Sequence, residues 1–229
     1  MPPDRDAAFV AAMEALLDLY AQPPDPRRPL VCFDEAGKEL HAALRDPLPM
    51  TPGQPAREDP EYARHGSANL FLAIAPHLGI RDIVVTDRRT RFDFADALRH
   101  LVDEVFPDAA QLHLVLDNLN THRLGSLYHA FPPDEALRIA RKLVWHYTPT
   151  HGSWLNLAEL ELSVLSRQCL ARRIPDRATL EIELAAWVAA RNAANVGVSW
   201  RFTVEDARRA MPHVYPQIHA TSAVTDHSA

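Results

Sequence analysis

Phe9, Met13, Leu16, Leu17 and Tyr20 are spaced i, i+4, i+7, i+8 and i+11, which predicts one apolar stripe of an amphipathic helix. Pro23-Pro24-Asp25-Pro26 breaks it. The next apolar run, Leu30-Val31-Cys32-Phe33, stops on Asp34-Glu35 and predicts a strand with Asp34 at its exit. From Pro47 to Pro60, proline, glycine and charge are too dense for a regular element, and a loop or flap is expected. Residues 69–75 and 82–86 are β-favouring runs joined by Pro76-His77-Leu78-Gly79, a hairpin-like connection.

The period then changes. Thr90 with Asp93 predicts a capping box, followed by Phe94, Leu98, Leu101, Val102 and Val105 on one helical face that ends before Pro107. Residues 111–117 are almost wholly apolar without helical phase, the pattern of a strand buried on both faces, and they end on Asp117-Asn118. Residues 123–142 read as helical with a break at Pro132-Pro133, and 143–147 as a short strand before Pro149. Ser153 is expected to cap a helix running to about Arg172. Asp176 is expected to cap another, with Leu180, Leu184, Trp187, Val188 and Arg191 on one face, and Thr203 with Asp206 a short last one. The tail after Pro216 has no periodicity and is expected to be disordered.

Composition narrows the function classes. A chain of 229 residues, 47% hydrophobic and 24% charged, can bury a full core as one large domain or as one domain with a small appendage. We divide it into an N-terminal helix and linker (1–26), a main domain (27–215) and the tail (216–229). No apolar run approaches the roughly 20 residues that span a bilayer, and no signal-peptide pattern opens the chain, so a cytoplasmic protein is expected. Cys32 and Cys169 have no second pair or His cluster at zinc spacing, and read as reduced, buried filler. A net charge of -6 argues against nucleic-acid binding through bulk charge but leaves room for local basic patches. Arg88, Arg89 and Arg91, and Arg172 and Arg173, are such local basic runs, which are commonly just solvated faces.

Three strands in a meander, then helix, strand, helix, strand and two helices, is the element order of the α/β ribonuclease H-like fold, a mixed sheet of about five strands flanked by helices. In that fold the first and fourth strands are neighbours, so Asp34 and Asp117 would emerge side by side where open α/β sheets place their chemistry. Two facing carboxylates repel unless a proton or cation lies between them, which marks them as metal ligands. Alone, Asp-Asn also starts ordinary turns. Glu159 is the third carboxylate, on a helix face shared with Asn156. Glu161 points about 200° away around that helix and reads as a solvated control. Trp154 reads as core rather than as a base-stacking platform.

Phe33-Asp34-Glu35, Leu116-Asp117-Asn118 with His122, and Thr148-Pro149 leading into Ser153-Trp154-Leu155-Asn156 and Glu159 together resemble the DDE transposases of bacterial insertion sequences, in the insertion-sequence six-thirty branch related to mariner elements. The resemblance covers about residues 9 to 215. It implies that Asp34, Asp117 and Glu159 bind two Mg²⁺ or Mn²⁺ ions and catalyse DNA strand cleavage and joining, with Asn118, His122 and Asn156 in support. His122 could contact the scissile phosphate or make a structural hydrogen bond. DNA, as the element's inverted terminal repeats and its target, is the implied partner, bound by a homodimer, with Arg88, Arg89, Arg91, Arg172 and Arg173 as the candidates for contacts to its backbone. Glu159 follows Asp117 by 42 positions, more than is usual in the mariner group, with Phe131 to Ala140 as the extra length. Family members carry an N-terminal helix-turn-helix, and this chain looks like the catalytic half alone. Another ribonuclease H-like nuclease, or a decayed transposase fragment, are the alternatives.

Overall fold

The computed structural model describes residues 6–45, 50–54, 60–119 and 122–216. Most of the expected loop at 47–60 and the tail beyond Pro216 lie outside the described residues. The first stripe forms α1 (Ala7–Tyr20), N-capped by Asp6, whose side chain accepts from the backbone of Ala8 and Phe9. Phe9, Met13, Leu16, Leu17 and Tyr20 are all buried, as the spacing predicts.

Three antiparallel strands follow, β1 (Leu30–Ala43), β2 (Tyr62–Ala75) and β3 (Ile80–Thr86). The first two run longer than expected. Asp34, expected at the exit of β1, sits inside the strand opposite Leu72, and pairing continues to Ala43 opposite Tyr62. The polar stretch Glu35-Ala36-Gly37-Lys38-Glu39 resembles the end of a buried strand because β1 there passes the end of β3, and from Lys38 onward it continues as a two-stranded ribbon with β2.

Helix α2 (Arg91–His100) carries the expected capping box, with Thr90 accepting from Asp93 N and Asp93 accepting from Thr90 N, and passes into a π-helical turn at Leu101–Val105. Strand β4 (Leu112–Leu116), α3 (Gly125–Ala130), α4 (Pro133–Lys142) and β5 (Leu143–Tyr147) come next. The extra length at 131–140 is mostly α4, which buries Ala136 and Ile139 against the sheet and leaves the strand ends on either side in place. The chain closes with α5 (Leu157–Leu165), a π turn at Ser166–Leu170, α6 (Arg177–Ala193) and α7 (Val204–Ala210).

The sheet order is β3-β2-β1-β4-β5, with β4 parallel to both β1 and β5. Alternation along the strands feeds two cores. Cys32, Leu70, Leu72, Ile74 and Val115 pack with α1, α5, α6 and α7 on one face. Val31, Phe33, Phe71, Ala73, Leu112, Leu114 and Leu116 pack with α2, α3 and α4 on the other. Trp154 packs against the first core, stacked at 6.4 Å on Trp200, so its assignment to the core holds. Cys32 and Cys169 are free and buried, also as expected. No helix among the described residues is long and apolar enough to cross a membrane.

Candidate active site

Parallel pairing of β1 with β4 ends at Cys32 opposite Val115, so beyond that point β1 has a free edge. The site forms in this gap. Successive side chains of a strand point to opposite faces, so Asp34 follows Cys32 toward the α5 side and Glu35 follows Phe33 toward the α2 side. Asp117 follows Leu116 at the end of β4.

Asn156 ties α5 to that free edge. Its Nδ2 donates to Phe33 O at 3.0 Å and to Asp34 Oδ2 at 3.4 Å, while its Oδ1 accepts from Ala158 N at 3.1 Å. Asn156, not Ser153, is therefore the helix cap, because residues 153–155 form a separate 3-10 turn and α5 starts only at Leu157. Removing this side chain takes away a cap and leaves a buried carbonyl unpaired. Asn156→Ala should cost about 2 kcal/mol, or roughly 4–8 °C in melting temperature, read by thermal unfolding in a chelator. A change below about 1 °C would show that α5 does not depend on this tie.

Glu159 lies exposed in the first turn of α5, where the helix dipole favours a carboxylate. It is close enough to Asp34 to act on its ionisation. Burial first of all, then the negative charges of Asp117, Glu159 and Glu35, push the Asp34 carboxyl up from 3.8 to about 6, against a hydrogen bond from Glu35 N at 2.8 Å that favours its anion. Asp117 and Glu159, the other two expected carboxylates, thus both lie near enough to raise the Asp34 carboxyl. Among the described residues no three His, Cys, Asp or Glu side chains are already drawn to metal-ligating distance. The donors are hard carboxylate oxygens on neighbouring elements, and such a set would fit Mg²⁺ or Mn²⁺ in chemistry.

His122 is wholly buried and makes a structural contact rather than a surface one. Its Nδ1 lies 2.5 Å from Asp117 Oδ1 and its Nε2 2.7 Å from Glu35 Oε2, while its ring stacks on Phe94 at 4.6 Å. Burial alone would lower its pKa, but hydrogen bonds and charge from Asp117 and Glu35 outweigh it and hold the imidazole protonated, with a pKa of about 9. Glu35 is a site residue that the sequence reading missed. Its signal is the alternation that sends it to the opposite face from Asp34, and its partner lies 87 positions away.

Asn118 lies on the rim of a cleft lined by Thr148, His151 and the first turn of α1. The arginines divide into two groups. Arg88, Arg89 and Arg91 are exposed between β3 and α2, and Arg89 reaches within 3.8 Å of Glu35 Oε1. Arg172 pairs with Glu183, and Arg173 sits 5.4 Å above the ring of Tyr62, which faces Ala43, nine residues along β1 from Asp34 and roughly 30 Å away for an extended strand. Glu161, expected to be solvated, is 2% exposed and bonded to Arg81 and Arg191.

The profile of the DDE superfamily endonucleases matches residues 29–181, which include Asp34, Asp117 and Glu159. The chain belongs to the DDE superfamily of endonucleases. No curated protein sequence matches this DDE-superfamily chain. Among solved structures it is similar to the Mos1 mariner paired-end complex with Mn (17% identity, 86% of this chain and 60% of that one, TM-score 0.53). It is also similar to the Mos1 strand transfer complex (16% identity, 95% and 65%, TM-score 0.56) and to a pre-cleavage Mos1 transpososome (16%, 95% and 66%, TM-score 0.55). The likeness establishes the shared ribonuclease H-like fold, and the chain spans less than two thirds of the length of these structures.

Proposed function

We propose that this chain is the catalytic part of a transposase of the bacterial insertion-sequence six-thirty branch, cutting and joining DNA through Asp34, Asp117 and Glu159. The observation that supports the reading is the setting of Asp34, partly buried on β1, whose carboxyl is raised by burial and then by the charges of Asp117, just past the end of the neighbouring strand, and Glu159, in the first turn of α5. The Mos1 complexes of like fold include one with Mn and one with Mg, which supports use of a divalent ion here.

Asp34, Asp117 and Glu159 would hold two Mg²⁺ or Mn²⁺ ions. When bound, such ions lower the pKa of an attacking water or 3′-hydroxyl and stabilise the leaving oxygen of an in-line phosphodiester displacement. The protein's own residues do the positioning. Asn156 holds the Asp34 carboxylate and the start of α5 together. Asn118 borders the cleft beside Asp117 and is available to orient water or a phosphate. Arg88, Arg89 and Arg91 supply positive charge beside the site for the DNA backbone, where a phosphate contact fixes position without reading sequence. Arg172 and Arg173 serve the ribbon side of the molecule.

Residues 27–215 are the catalytic unit in this reading. Paired element ends would be held by a homodimer, specific recognition of the terminal repeats would fall to a helix-turn-helix domain, and the reaction would take place in the cytoplasm on the bacterial nucleoid. The test uses short duplexes carrying the element's own terminal repeats with Mn²⁺. The expected result is nicking at the repeat boundary and transfer of the 3′-ends into target DNA, both reduced to background by Asp34→Asn, Asp117→Asn or Glu159→Gln. Nicking without joining would favour a ribonuclease H-like nuclease, and nicking that survives all three substitutions would overturn the site.

A further inference from the structure

We infer that Glu35 is a positioning residue for the metal site, acting on Asp117 through His122. The inference rests on the proposed role of Asp117 as a ligand and adds a residue that does not itself face the ions. His122 is held at both ring nitrogens by carboxylates, 2.5 Å from Asp117 Oδ1 and 2.7 Å from Glu35 Oε2. The ring cannot swing, because Phe94 stacks on it and Tyr147 Oη donates to its backbone carbonyl at 2.9 Å. Leu119 N also donates to Asp117 Oδ1 at 3.4 Å. Both of these contacts on Asp117 fall on one oxygen, which fixes the plane of the carboxylate and directs the other oxygen.

Glu35 makes this arrangement asymmetric. Its side chain is only 8% exposed, so its charge acts on His122 at low screening, and Arg89 at 3.8 Å lies beside its second oxygen. Glu35 and Asp117 therefore hold the ring from opposite edges, and the bond at Nε2 fixes where Nδ1 meets Asp117 Oδ1. Without that second anchor the ring, and with it the Asp117 carboxylate, would lose its fixed orientation. Groups that hydrogen-bond a metal ligand from behind orient it in the same way, and their loss generally weakens metal affinity about 10- to 100-fold.

The test is Mn²⁺ titration followed by the electron paramagnetic resonance of the free ion, on the whole chain without DNA. Glu35→Gln keeps the size and an oxygen for the ring while removing the charge. It should weaken Mn²⁺ binding about 10- to 100-fold. Glu35→Asp, which keeps the charge but withdraws it from the ring, should fall between the two. In a nicking assay, Glu35→Gln should raise the Mn²⁺ concentration for half-maximal rate by the same factor, and saturating Mn²⁺ should restore the rate. Parental affinity in folded Glu35→Gln, or in Glu35→Asp if the glutamine variant does not fold, would overturn the inference. Failure of the underlying site reading looks different, since Asp117→Asn would then also bind Mn²⁺ like the parent.

Discussion

Glu161→Gln should destabilise the protein by about 3–5 kcal/mol, a fall of roughly 6–20 °C in melting temperature, although it changes only one oxygen to an amide. Glu161 Oε1 receives Arg81 Nε at 2.5 Å and Arg191 Nε at 2.7 Å, and Oε2 receives Arg191 Nη2 at 3.3 Å. Arg81 is itself 2% exposed, with its remaining donors on Gly79 O and Val196 O. A glutamine leaves that guanidinium buried without a counter-charge, and removing one partner of a buried ion pair costs far more than removing both. Arg81→Met with Glu161→Leu should therefore recover most of the loss. The cluster also sets the rotation of α5, since it joins that helix to β3 and α6 on the side about 200° away from Glu159. Glu161→Gln should lower metal-dependent cleavage as well as stability. A melting-temperature change under about 2 °C would show that the pair is not energetically coupled.

What made Glu161 unreadable is distance along the chain. Helical phase correctly separates it from Glu159, but a residue facing away from a site can face solvent or a second core, and Arg81 lies 80 positions away. Local signals served well wherever the partner is also local. Thr90 with Asp93, Asp176 with Thr179 and Thr203 with Asp206 all form the caps their spacing predicts. The apolar run at 112–116 is a strand with Leu112, Leu114, Val115 and Leu116 buried on both faces, beside β1 as expected and with β5 on its other side. Local signals failed where a tertiary partner changes the outcome. β1 continues past Asp34 because β2 accompanies it to Tyr62, a pairing that the polar residues 35–39 do not announce. Asn156 displaces Ser153 as cap because Phe33 O, 123 positions earlier, is there to receive its amide. At the site, Asp34 and Asp117 stood out in the sequence as the carboxylates that close apolar runs and Glu159 as one sharing a helix face with Asn156, whereas Glu35 and its bond to His122 needed the fold.

Asp34→Asn should make the metal-free protein more stable, while Asp117→Asn should make it less so. The Asp34 carboxyl stands at about 6 in the folded chain against an ordinary 3.8, raised by burial and by the charges of Asp117, Glu159 and Glu35. The folded state therefore holds this proton more tightly than the unfolded one. Asp34's stabilising contribution is fully present below pH 3.8 and is lost as pH rises through about 6. At pH 7.5 in a chelator the ionised group is a net cost on the order of 2 kcal/mol, after discounting for its partial contact with water. The amide of the Asp34→Asn variant would keep an acceptor for Glu35 N without the charge, so this variant should melt roughly 4–8 °C above the parent at pH 7.5. The difference should vanish near pH 4. Asp117 is in the reverse situation, because its Oδ1 is the charged partner of a buried, protonated His122, and an amide there would leave the imidazolium with Glu35 alone. Added Mn²⁺ at ten times its dissociation constant should raise the parent by about 1.4 kcal/mol and neither variant. The measurement is thermal unfolding of the three proteins across pH 4 to 8, with and without the ion. If Asp34→Asn melts at or below the parent at pH 7.5 in chelator, Asp34 carries no electrostatic strain, and the argument that its site is built for a cation fails.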